Sequence, residues 1–248
     1  MAMAVWGMRH SSFVIRQFVV PLMPFFKITL AYDGAEFCGW QAQPGRRTVQ
    51  GEFERAWRQI TGEAVSVRAA GRTDSGVHAV GQVVSVESAT HIAPPALVLA
   101  LNAKLPADVA VRAAEYAPDG FHATHDAQRK RYRYLIYNDA RRPVFLRRQA
   151  WHLPTPLDVA AMHRAGQHLE GTHDFSSFQS TGSQRECTIR TIFEVEARRH
   201  EAGQDDRQFD APQALVTVDV EGDGFLYNMV RSIVGTLVEV GPLLRVEY

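Results

Sequence analysis

Cysteine is almost absent: Cys38 and Cys187 are the only two in 248 residues, far apart and with no CxxC spacing. Neither a disulfide framework nor a cysteine-based zinc site is built from such a pair, and a reducing cytoplasm is the expected compartment. Net charge is absent too, because 27 basic side chains balance 27 acidic ones. The whole-molecule charge therefore points to no polyanionic partner. No window approaches the roughly 20 apolar residues that span a bilayer, so no membrane association is expected. A dinucleotide fingerprint and a P-loop are both missing. His163, His168 and His173 recur every five residues, a spacing that does not align ligands on one helix face. They read as surface or capping histidines, and neither a metal nor a cofactor is expected.

Acidic residues are missing from the first 32 positions, which hold Arg9, Arg16 and Lys27. That bias is shared by transit and signal segments. Against this, Pro21 and Pro24 break the apolar stretch from Phe18 to Phe26, and Lys27-Ile28-Thr29 makes a poor small-residue cleavage site. Residues 1–24 are therefore expected to be an extension outside the fold, translated from a start upstream of Met23. Targeting is the other reading.

What is present is ordinary globular material, 46% hydrophobic and 22% charged. A chain of this length buries a real core as one large domain or two small ones. Charge is patterned locally: Arg129-Lys130-Arg131-Tyr132-Arg133-Tyr134 alternates cations with aromatics, and Arg141, Arg142, Arg147 and Arg148 follow. Such a belt suits phosphates with bases stacked on its rings. A strand with a solvated basic face is the competing reading.

The most informative stretch is Gly71-Arg72-Thr73-Asp74-Ser75-Gly76-Val77-His78-Ala79. It lies between Val65–Ala70 and Val80–Val86, both rich in β-branched residues with partial alternation, so it reads as the loop of a hairpin. Gly71 and Gly76 allow positive φ or close approach of a ligand, and Arg72 is placed to keep Asp74 ionised or to grip a phosphate. Equally, Asp74 and Thr73 can serve only to satisfy turn amides.

The remaining pattern predicts two similar halves, each running strand, helix, paired strands, helix. In the first, a strand covers Phe26–Tyr32, a helix Thr48–Gly62, a short helix starts at Pro94, and a strand covers Val109–Tyr116. In the second, Arg131–Tyr137 is a strand and Asp158–Leu169 a helix, with Gly171 past its end. Ile189–Arg198 and Ala214–Glu221 pair across the polar loop Glu201–Gln213, and a helix runs from about Phe225 to Val240. The expected class is α+β: two βαββ-type halves, residues 25–125 and 126–248, with antiparallel or mixed sheets side by side and helices on one face. A substrate is expected in the cleft between the halves.

The nine-residue loop fills every fixed position of GRTDxGVHA, the signature of the TruA family of tRNA pseudouridine synthases, which this chain resembles. Further similar segments follow in order: Ala31-Tyr32-Asp33-Gly34, Gly39-Trp40-Gln41, Thr48-Val49-Gln50, Leu101–Pro106, Phe121-His122-Ala123, Lys130–Tyr134, Asp174–Phe178 and Asn228-Met229-Val230-Arg231. The resemblance runs roughly from Phe25 to Gly241.

It implies an isomerase that cuts the glycosidic bond of a uridine, turns the base and rejoins it through carbon, without redox or energy input. Asp74 falls on the family's catalytic aspartate, which either attacks the ribose or uracil or takes the 2′ proton. The target must be extruded from folded RNA to reach it. Tyr132 matches the active-site tyrosine beside the base; its other reading is a core strand tyrosine. Arg231 matches a basic residue that pairs with the aspartate. Arg72 is expected to help extrude the base or hold a flanking phosphate, His78 to shape the loop, and Leu226 to line the uracil pocket. The family acts on tRNA nucleotides 38 to 40 in the anticodon stem-loop, as homodimers in which one tRNA contacts both subunits.

One departure stands out. After Glu239-Val240-Gly241 the family continues through another helix, whereas here Pro242–Tyr248 follows at once and resembles the family's final strand. Such a shortening would uncover apolar surface and remove a wall of the cleft. Two other functions stay open: a non-catalytic tRNA-binding protein that lost turnover through this gap, and a hydrolase using Asp74 as nucleophile on a small substrate. The second lacks a His base in register and leaves the Arg/Tyr belt unexplained.

Overall fold

A computed structural model describes residues 23–180, 187–200 and 214–241. Residues 1–22 of the extension expected over 1–24, the loop expected over Glu201–Gln213 and the shortening expected over Pro242–Tyr248 lie outside the described residues, whereas Met23 and Pro24 lie within them. The chain divides into two compact units after Thr124.

In the first unit, β1 (Phe25–Tyr32) alternates strictly, with Phe26, Ile28, Leu30 and Tyr32 buried. Helix α1 (Val49–Thr61) meets that face with Val49, Phe53, Ala56 and Trp57, a spacing that lines one helical stripe. Phe26 and Trp57 stand edge to face with ring centroids 5.9 Å apart. Fully burying such side chains contributes about 1.5–3 kcal/mol each. Both ends of α1 are written in the sequence. Thr48 is extended and its hydroxyl accepts from Gly51 N–H, while Gly62 takes the left-handed conformation at φ 78° and donates to the Arg58 carbonyl.

Four strands, β1, β2 (Arg68–Ala69), β3 (Ala79–Glu87) and β4 (Val109–Ala117), form an antiparallel sheet in the order β2-β3-β1-β4. Helix α2 (Pro94–Asn102), opened by proline, buries Leu97 and Leu101 in the same core. The strand expected over Val65–Ala70 shrinks to two residues. The amide of Val67 donates to the Glu54 carboxylate (3.3 Å) and its carbonyl accepts from Gln50 (3.5 Å), so side chains of α1 take the place of a strand partner.

The second unit contains β5 (Lys130–Tyr137), β6 (Trp151–His152), α3 (Val159–Gln167), β7 (Gly171–Asp174), a 3₁₀ turn (Ser176–Phe178), β8 (Ile189–Arg199), β9 (Leu215–Gly222) and α4 (Met229–Val240). Its sheet, ordered β6-β5-β9-β8-β7, is mixed: β5 and β6 run parallel and the other pairs antiparallel. Ile136, Val216, Val218 and Val220 share a core with Met162, Ile233, Val234 and Leu237. Asp158 caps α3 by accepting from Ala161 N–H at 2.8 Å. The last helix begins later than the pattern suggested, because Asn228 sits at φ 58°, outside the helical region. The architecture is thus α+β with one antiparallel and one mixed sheet. No helix among the described residues is long and apolar enough to cross a membrane.

Candidate active site

The Asp74 loop closes the β2–β3 hairpin, whose register pairs Arg68 with Ser85 and Ala69 with Val84. Within it, Val77 N–H donates to the Asp74 carbonyl (3.2 Å), closing a four-residue turn with Gly76 third at φ 79°. A side chain at Gly76 would meet nothing within 4 Å, so glycine is there for conformation and not for space. The Gln82 side-chain amide donates to the Gly71 carbonyl, holding the start of the loop to β3.

The loop is gripped from elsewhere in the same unit. Tyr32, the last residue of β1, places its hydroxyl 2.8 Å from that of Thr73. Trp40 N–H donates to the Thr73 carbonyl at 3.0 Å, and the Ser75 hydroxyl donates to the Phe37 carbonyl at 3.1 Å. Gly34 backs directly onto Val77: a Cβ there would stand 2.0 Å from the Val77 carbonyl oxygen. The 33–47 segment that does this gripping is itself fixed. Val49 and Gln50, whose amides lack partners within α1, donate to the carbonyls of Gly39 (3.3 Å) and Trp40 (3.0 Å). Arg47 lies 4.0 Å over the Phe37 ring and forms two 2.8 Å bonds to Asp108. That guanidinium holds the Asp108 carboxyl below the usual carboxylate range, and Asp108 in turn raises Arg47.

Of the residues singled out in the sequence, Asp74, Arg72 and His78 lie in the first unit, all on this loop, with Asp74 and Arg72 exposed. His78 Nδ1 stands 2.9 Å from Asp33 Oδ1 and 3.2 Å from Gly34 N. One nitrogen cannot donate to the first and accept from the second together. With a proton on Nδ1 the ion pair or hydrogen bond to Asp33 forms; without it, Gly34 N–H is the donor. Either way His78 fastens the exit of the loop to the end of β1.

Tyr132, Leu226 and Arg231 lie in the second unit. Tyr132 packs against the core there, edge to face with Phe225 at 5.2 Å and 89°. Leu226 is only 4% exposed and belongs to the same core, while Arg231 is exposed in the first turn of α4. Tyr32, Phe37 and Gly39 were not singled out individually in the sequence. The only signal was their position in or near two segments that share the motif's family likeness, Ala31–Gly34 and Gly39–Gln41.

The structure corrects part of the basic belt. Arg129 and Arg131 both bond Glu221 (2.9 and 2.7 Å), Arg131 also bonds Glu194 (2.6 Å), and Arg133 makes a two-pronged 2.7 Å pair with Asp219. Glu221 is held below its ordinary range by Arg129 and Arg131. These three arginines are neutralised by β8 and β9, and Asp219 is 2% exposed. Arg142 and Arg147 instead flank a surface cavity of about 420 Å3 with Pro143, Val144, Ala150 and His152. Among the described residues, no group of three His, Cys, Asp or Glu side chains is placed to hold a metal.

The Asp74 loop thus presents an exposed carboxylate in a hairpin turn held by Tyr32 of β1 and by Phe37 and Trp40 of the 33–47 segment. The family model for tRNA pseudouridine synthase matches residues 28–126 and 165–246. These stretches contain Asp74, Arg72, His78, Leu226 and Arg231 and leave out Tyr132. The chain is 50% identical over 222 residues to tRNA pseudouridine synthase A of Moorella thermoacetica, covering 88% of this chain and 85% of that one. The enzyme of the same name from a Geobacillus strain is 45% identical over 216 residues (87% and 82%), and that of Escherichia coli strain SE11 is 41% identical over 221 (88% and 77%). With the loop geometry and these matches spanning most of its length, the chain belongs to the tRNA pseudouridine synthase family.

Proposed function

We propose that this protein isomerises uridine to pseudouridine in tRNA, at nucleotides 38 to 40 of the anticodon stem-loop, with Asp74 as its one essential carboxylate. The observation that carries this reading is the setting of Asp74: an exposed carboxylate in a turn whose backbone is held on both sides by other elements of its unit. Chemistry that moves a sugar between two atoms of one base gains most from a fixed group of this kind.

The bond from ribose C1′ to N1 breaks and one from C1′ to C5 forms. The C5 proton leaves to solvent and N1 gains a proton, so no external reactant is consumed. Asp74 acts in its ionised form, as nucleophile or as base toward the 2′ proton. Because a stacked uridine is out of reach, the base is first turned out of the helix. Arg72, two residues before Asp74 and exposed, supports the extruded nucleotide or its phosphate. Tyr132 provides the ring against the base, Leu226 an apolar wall for uracil, and Arg231 the cation that its motif position carries in the family. His78 shapes the loop. The protein acts in the cytoplasm as a homodimer, with one tRNA touching both subunits.

The test is pseudouridine mapping on an unmodified tRNA transcript after incubation with the protein. New pseudouridine confined to positions 38 to 40, and absent with Asp74→Asn, supports the reading. Salt-sensitive tRNA binding with no pseudouridine at any position would instead leave a binding protein.

A further inference from the structure

We infer that Tyr32 is a positioning residue for Asp74, acting through the hydroxyl of Thr73. The inference rests on the reading of Asp74 as the essential carboxylate and adds how the chain holds it in place.

Thr73 immediately precedes Asp74 and is held at two points. Its carbonyl accepts from Trp40 N–H at 3.0 Å, and its hydroxyl lies 2.8 Å from the Tyr32 hydroxyl. The two holders form one buried unit: Tyr32 is 4% and Trp40 2% exposed, with their rings 6.3 Å apart. Tyr32 is aimed by an irregularity in the sheet. Leu30 pairs with Gln82 and Tyr32 with Ala79, so β3 carries one extra residue between those pairs. Such a bulge bends a strand and redirects side chains near it.

The phenol has a job that phenylalanine would not do. A threonine hydroxyl in a turn readily bonds its own backbone, giving the loop alternative local arrangements. A buried phenol requires a hydrogen-bond partner, and by taking the Thr73 hydroxyl it selects one of those arrangements. The backbone bond from Trp40 fixes where Thr73 lies, and the phenol fixes how it is turned. Asp74, the next residue, inherits both constraints. Misplacing a reacting group by about 1 Å costs up to about 100-fold in rate.

The test compares Tyr32→Phe, Thr73→Val and the double variant with the wild-type full chain, measuring kcat and KM on tRNA well below the melting temperature. Loss of positioning lowers kcat by about tenfold in each single variant and leaves KM within about twofold, because neither substitution removes a side chain assigned a contact with tRNA. The double variant falls no further than the single ones, since both remove the same bond. Thr73→Ser, which keeps the hydroxyl, recovers most of the turnover lost in Thr73→Val. A Tyr32→Phe enzyme with wild-type kcat, or losses that multiply in the double variant, would overturn the inference. If Tyr32→Phe fails to fold, the contrast between Thr73→Val and Thr73→Ser decides alone. Asp74→Asn is run alongside: its full activity would remove the assignment of Asp74 itself, whereas its inactivity with an unaffected Tyr32→Phe removes only the positioning role.

Discussion

Gly39 lies directly against Thr73: a Cβ built on it would stand 2.8 Å from the Thr73 carbonyl oxygen and 3.1 Å from the carbonyl carbon of Asp74. Its φ of 83° is left-handed as well. Gly39→Ala is therefore expected to lose about 1–2 kcal/mol to backbone strain and to displace the loop, lowering turnover by about tenfold or more. Gly45→Ala is the control. Its φ is 68° but no atom lies within 4 Å, so a similar strain is expected with unchanged turnover. Urea unfolding and steady-state rates on the two variants separate strain from displacement.

Acid should weaken the first unit through Asp108. Its folded pKa is lowered below the ordinary 3.8 by Arg47, so its stabilising contribution is complete above that value. It disappears as pH falls through the lowered folded pKa. The side chains are 28% and 36% exposed, which limits the pair to about 1 kcal/mol or less. Urea midpoints measured from pH 7 down to about pH 3 should fall less steeply at the acid end in Asp108→Asn than in the wild type.

Arg133 should matter for stability more than for RNA. Its partner Asp219 is 2% exposed, so Arg133→Ala leaves a buried carboxylate without its two-pronged donor, at a cost of about 3 kcal/mol. In the folded protein the salt dependence of tRNA binding should not change. Arg142→Ala and Arg147→Ala should reverse the pattern, each lowering the slope of log K against log salt with little effect on unfolding. Filter binding at several salt concentrations, with parallel urea melts, reads both quantities.

Much of this fold is legible where local chemistry decides it. Helix α1 is bounded by a threonine cap and a left-handed glycine, and Thr48–Gly62 could be read off the residues themselves. Strands β6 and β7 could not. Gly171-Thr172-His173-Asp174 has no apolar alternation and is a strand only because it pairs with Ile189–Ile192. The site shows the same division. The Asp74 loop is visible as a motif, but the grip of Tyr32 on Thr73 spans 41 positions and depends on a sheet irregularity that no local pattern encodes. Arg129, Arg131 and Arg133 look like an open basic run because their acidic partners lie 63 to 92 positions downstream. Charge read along a chain misses countercharge that arrives from a neighbouring strand.

The most direct measurement is tritium release from tRNA labelled at C5 of uridine, with the wild-type protein and Asp74→Asn under identical conditions. Joining C1′ to C5 expels the C5 hydrogen, so release counts turnovers of this reaction and of no simple hydrolysis. Release by the wild type and its loss in Asp74→Asn, with tRNA binding retained, is the expected result. Undiminished release by Asp74→Asn, or none by the wild type while it binds tRNA, would contradict Asp74 as the carboxylate of a working pseudouridine synthase.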